Sequence, residues 1–231
     1  MLKYWPIAVA FLVVLLGPIL LRPKQDAAPR PGERWLVVIT PHIESIRFEF
    51  GRAWERWHEE RTGEKVRVDF RAPGGTSEIT RYVDGEYAAA FENHWRNVLG
   101  REWSTVVERS FNNAKIKLDD TPADDTPAEQ ARRAFFESEV SCKLDVFFGG
   151  GAYDFQSQSS KGHLVDSGFI AAHPELFAPR NGAPPVIQQM VSGEPFYDPQ
   201  GRRLGSVLSC FGIICNLDAI GRLRMRSPPQ R

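Results

Sequence analysis

The sequence predicts an α/β fold, a mainly parallel open sheet flanked by helices. Trp35-Leu36-Val37-Val38-Ile39 is apolar throughout, as a strand covered on both faces is. A helical stretch and a second strand-like run, Lys65 to Phe70, follow it through short connections. A third apolar run, Val146-Phe147-Phe148, stops at Gly149-Gly150-Gly151. Strand, helix, strand and helix in alternation imply parallel pairing with right-handed crossovers.

Composition sets the outer bounds. The chain has 231 residues, 42% hydrophobic and 25% charged, which is globular and long enough for one large or two small domains. Lys plus Arg is 29 and Asp plus Glu is 29, a balance that argues against a nucleic-acid partner. Cys142, Cys210 and Cys215 form no metal-ligand pattern. On one extended strand the last two lie roughly 16 Å apart, too far for a disulfide, and read as small buried side chains.

The elements follow in order. Lys3 precedes an apolar run from Pro6 to Leu21, broken by Gly17-Pro18 and followed by Arg22 and Lys24. Residues 1–24 therefore read as a signal peptide or a retained signal-anchor helix, with the remainder periplasmic or otherwise extracytoplasmic. Residues 25–33 are a Pro- and charge-rich linker, 34–223 one globular lobe and 224–231 a tail. Ile43, Ile46, Phe50, Ala53, Trp54 and Trp57 recur at helical spacing as one apolar face, and Gly63 is the stop. Val66, Val68 and Phe70 share one side of the second strand, and Thr76 or Ser77 caps the helix after it. Asp84 to Leu118 reads as helical, with Phe91, Trp95, Val98, Leu99 and Trp103 buried.

Asp119 to Thr126 is an acidic solvated loop without the ligand spacing of a calcium site. Thr126-Pro127-Ala128-Glu129 is a capping box opening a helix that buries Ala131, Ala134, Phe135 and Val140. Gln156 to Lys161 is polar, Leu164 to Ile170 a short helix end and turn, and Ala172 to Asp198 a loop with five prolines. Gly205 to Asn216 is strand-like and Leu217 to Leu223 starts a helix.

The glycine run after the third strand carries the first functional reading. Bare glycine amides at the carboxyl end of a strand let a ligand approach the backbone closely, although such runs also serve as plain turns. Val37-Val38-Ile39-Thr40-Pro41-His42, the helix ending Glu60-Arg61-Thr62-Gly63, Val66-Arg67-Val68 and Gly74-Gly75-Thr76-Ser77-Glu78 add a second. Together with Asp145 to Phe155 and Phe211 to Asp218, behind an exported amino terminus, they resemble an extracellular solute-binding protein of a bacterial ABC transporter, in the iron(III)-type subgroup. The resemblance runs from Trp35 to Leu223.

It implies a type 2 periplasmic-binding-protein-like first lobe, with the second lobe largely missing after the crossover, as in a truncated or fragmentary reading frame or a partial gene. It also implies capture of a small solute (anion, iron or organic ligand) outside the cytoplasm with a transporter permease as partner; the amino-terminal segment adds the membrane as a partner, and no cofactor is expected. This lobe's half of the site would be Thr40 and His42, Gly75, Thr76 and Ser77, and Gly149, Gly150, Gly151 and Tyr153. Helix amino termini and free amides suit anionic oxygens. Each side chain has a plainer use: Thr76 and Ser77 as caps, His42 as a loop residue, Tyr153 packed beneath its loop. Tyr153, His42 and Glu44 do not by spacing make an iron site, and in the family tyrosines largely from the second lobe hold the metal.

An enzyme is the competing class. No Gly-x-Ser-x-Gly elbow, phosphate-binding loop or His-Glu-x-x-His is present, and His58-Glu59-Glu60 lacks the second histidine. Gly149 to Gly151 lacks the remaining dinucleotide-binding spacing and a helix directly after it. The other readings are a membrane-anchored extracytoplasmic interaction module using Trp54, Trp57, Trp95 and Trp103, a non-functional fragment, or a hydrolase.

Overall fold

The computed structural model describes residues 11–12, 34–119 and 121–207. The chain divides into two compact units, Met1–Gly162 and His163–Arg231. The first is an α/β unit with β1 Arg34–Ile39, α1 Glu44–Thr62, β2 Val66–Arg71 and α2 Thr76–Asn93. α3 Thr105–Ser110, α4 Pro127–Glu137, β3 Val146–Phe147 and α5 Ala152–Lys161 complete it.

The three strands form a parallel sheet in the order β2-β1-β3, so the continuously apolar run is the central strand. Leu36 pairs with Val68, Val38 with Phe70, and Ile39 with both Arg71 and Phe147. The Val68 amide donates to the Glu55 carboxylate of α1 at 2.9 Å, which satisfies a donor on the outer edge of β2. Asp145 extends the β1–β3 ladder, donating its amide to Val37 O and accepting the Val37 amide on its carboxylate at 2.7 Å.

Helices cover both faces of the sheet. α1 lies against β2 through Gly51, where a Cβ would stand 3.0 Å from Phe70 Cε2. On the other face Ile39 and Phe147 join Ile79, Val83, Tyr87 and Phe91 of α2 and Ala131 and Phe135 of α4. Phe91 is the aromatic centre, with ring centroids 5.0 Å from Phe111 and 5.3 Å from Phe135. The Thr126–Glu129 capping box is complete: the Thr126 amide donates to Glu129 and the Glu129 amide to the Thr126 hydroxyl.

Several expectations are corrected. Ile43, Phe50 and Trp57 of α1 are 67%, 55% and 51% exposed, because the buried face turns through Gly51 and the half-buried Trp54 instead. Val98 and Leu99 are exposed because a π-helical turn, His94–Val98, rotates them off the face that carries Phe91 and Trp95. Val146 is 40% exposed, β1 being the partner of β3 among the described residues. Gln156 to Lys161 belongs to α5, which buries Gln158.

In the second unit α6 Phe169–Ala172 and α7 Pro174–Phe177 precede an antiparallel pair, β4 Met190–Val191 with β5 Glu194–Pro195. The proline-rich loop thus contains short elements, and Phe177 packs edge-on to Phe169 and Tyr197. Residues 205–207 are not in a strand. The remainder of the expected crossover, the Leu217 helix, Cys210 and Cys215 lie outside the described residues. So does the amino-terminal apolar run, except Phe11 and Leu12, which are helical. Among the described residues no helix is long and apolar enough to cross a membrane.

Candidate functional site

The parallel register brings three strand ends to one edge. The Thr40 amide, just past β1, donates to Arg71 O at the end of β2, and the Phe148 amide, just past β3, donates to Ile39 O, each at 2.9 Å. Each strand end turns directly into a helix, α1 at Glu44, α2 at Thr76 and α5 at Ala152. Three helix amino termini therefore border a common rim, where unsatisfied amides and helix dipoles make the potential positive.

The nine sequence-predicted residues lie along this rim but present themselves differently. Thr40 is fully buried, and its hydroxyl accepts the His42 amide at 3.2 Å, so it shapes the turn. His42 is half-buried, with its ring 4.8 Å from Phe148, and Phe148 in turn packs on Phe50. A Cβ on Gly149 would stand 2.6 Å from His42 Nε2, so only glycine admits the imidazole there. Gly149 and Gly150 also hold φ of +96° and +135°, in the region that side chains disfavour. Gly75 is the N-cap of α2 without a side-chain cap, which places Thr76 and Ser77 inside the first turn; neither is the cap that the sequence predicts. Tyr153 is 82% exposed, and Phe155 is the ring that packs beneath the loop, 4.8 Å from Phe147.

Each of the three helices carries an acid in its first turn, Glu44, Glu78 and Asp154. Asp154 accepts the Gly151 amide at 2.9 Å. The Glu78 stem lies where a Cβ on Gly74 would be, 2.9 Å from its Cγ, and its carboxylate pairs with Arg81 at 3.3 Å. Part of the positive potential is thus answered from within the chain, and the rim offers acceptors beside donors. The Asp154 spacing, three residues after the helix-starting glycine, is the sequence signal of this contact.

α5 begins immediately after Gly151, which removes one of the two grounds for excluding a dinucleotide site. The other stands, because Gly149-Gly150-Gly151-Ala152-Tyr153-Asp154 lacks the remaining glycine spacing. Among the described residues no three His, Cys, Asp or Glu side chains come together as a metal set. Two open cavities lie elsewhere. One, about 290 Å³, is bordered by Arg34, Val66 and Asp145 at the opposite, amino ends of the strands. The other, about 660 Å³, lies by His94 and Arg101 beyond the carboxyl end of α2.

No protein-family model, curated protein or solved structure matches this chain.

Proposed function

We propose that the first unit is one jaw of the substrate-binding component of an ABC-type importer, a type 2 first lobe that captures a small solute outside the cytoplasm. The carrying observation is the rim, where three adjacent parallel strand ends each open into a helix amino terminus. Ligands of open α/β sheets sit at that edge. His42 and Tyr153 supply an imidazole and an exposed phenol beside the Gly149 and Gly150 amides. The neighbouring Asp154 and Glu78 carboxylates favour an organic solute with both donors and acceptors over a bare anion. The amino-terminal apolar run supplies the membrane or the export route, and a permease is the partner.

Thermal unfolding of the full chain with phosphate, sulfate, small organic acids, sugars and ferric ion tests this reading. A true ligand at one hundred times its Kd stabilises by about 2.7 kcal/mol, and the shift saturates. Tyr153→Ala and His42→Ala should each weaken the response. Absence of any saturable shift, or a shift indifferent to both substitutions, overturns the assignment. Turnover of a probe without saturable binding points to an enzyme instead.

A further inference from the structure

The apolar stripe that sequence periodicity assigns to the core of α1 is on the surface. Ile43, Phe50 and Trp57 are more than half exposed, Ala53 is exposed, and Ile46 is half-buried among them. Within α1 the spacing of 46, 50, 53 and 57 alternates four and three residues, the pattern of a seam that receives another helix, and Ile43 is the extended N-cap residue just before it. Ala53 sits at its middle, where a small side chain allows close helix approach. Phe50 continues the stripe onto the sheet through Phe148.

The charges beside the stripe select the occupant. Glu49 and Arg56 border one side of it, seven residues apart and so on one edge of the helix. Laid antiparallel against itself about Ala53, α1 brings Glu49 of each copy opposite Arg56 of the other. A parallel pairing offers no such match. A membrane surface is disfavoured, because α1 carries five Glu and four Arg in Glu44–Thr62 and lacks the basic excess of an interfacial helix. We infer that α1 is a self-association surface and that two copies of this chain pair through antiparallel α1 helices, with two symmetric Glu49–Arg56 contacts flanking an Ile46–Phe50–Ala53–Trp57 seam.

Sedimentation velocity of the full chain in non-ionic detergent, over a concentration series, tests the pairing. The wild type should pass from monomer to dimer, and Trp57→Glu should raise the dissociation constant at least about tenfold by putting a charge in the seam. Because that variant alters a partly packed residue, the charge cycle is the stricter measure. Glu49→Arg and Arg56→Glu alone should each weaken dimerisation roughly fivefold or more, and the double reversal should restore it. A monomer at all concentrations overturns the proposal. So does a dimer whose single and double reversals behave alike, or a monomer that binds anionic vesicles through Trp57.

Discussion

Gly149 and His42 form a coupled pair at the residue scale. The imidazole occupies the space of a missing Cβ, and the backbone there has positive φ. Gly149→Ala should therefore cost about 1–3 kcal/mol, part from the clash and part from the dihedral. Adding His42→Ala should recover only the clash. Urea unfolding followed by tryptophan emission reads both, and full recovery would show that the dihedral carries no cost. Arg132 is a second such residue. It is 3% exposed, donates to Phe111 O, Lys161 O and Ser160 O, and lies 4.4 Å over the Phe136 ring. Burial lowers its pKa, yet a guanidinium remains charged at neutral pH. Arg132→Lys loses the fork that spans these carbonyls and should destabilise by about 3 kcal/mol in the same assay. Neither role is legible in the sequence. An arginine in a helical stretch reads as solvated, and a glycine run does not say which ring leans on it.

At the scale of elements, legibility followed local chemistry. Gly63 ends α1 and Thr126–Glu129 opens α4 as the sequence predicts, because caps depend on a few adjacent residues. Thr126→Ala should cost about 1 kcal/mol, and little change would mean that the proline at the next position fixes the helix start alone. The faces of helices were less legible. Periodicity places Ile43, Phe50 and Trp57 together, but burial also needs a layer beside them. Val98 and Leu99 fit the 3.6-residue period until the π turn breaks it. The acidic loop before α4 shows the same dependence on a distant partner. Arg133 grips Asp125 with two contacts, at 2.6 and 3.0 Å, and this hydrogen bonding holds the Asp125 carboxyl below its usual range. A lowered folded pKa means stability present above the ordinary value of about 4 and lost as pH falls through the folded value. Asp125→Asn should flatten the acid limb of the stability curve, and an unchanged limb would remove this pair as a cause.

At the scale of the whole molecule, the hydrophobic cluster and the rim among the described residues both fall within the first unit. Its hydrophobic cluster runs from Ile39 to Phe147, and the nine rim residues lie between Thr40 and Tyr153. α5 closes it: Lys161 pairs with Asp84 of α2 at 2.6 Å, and the Ser160 and Lys161 carbonyls accept from Arg132. The sequence hid this boundary because Gln156 to Lys161 is polar, although that stretch buries Gln158 and anchors the buried arginine. A chain ending at Gly162 should therefore keep its fold, and with it any solute response of the full protein. All six tryptophans precede residue 104, so their emission follows this unit. Its urea midpoint should match the full chain within about 1 kcal/mol of stability. Ending the chain at Gly151 instead removes two of the three carbonyl acceptors of a buried guanidinium, which costs about 3–5 kcal/mol before the lost packing on Phe147 is counted. That shorter chain should unfold. If it folds as well as the longer one, α5 does not close the unit; if the Gly162 chain also unfolds, stability of the first unit depends on residues beyond it.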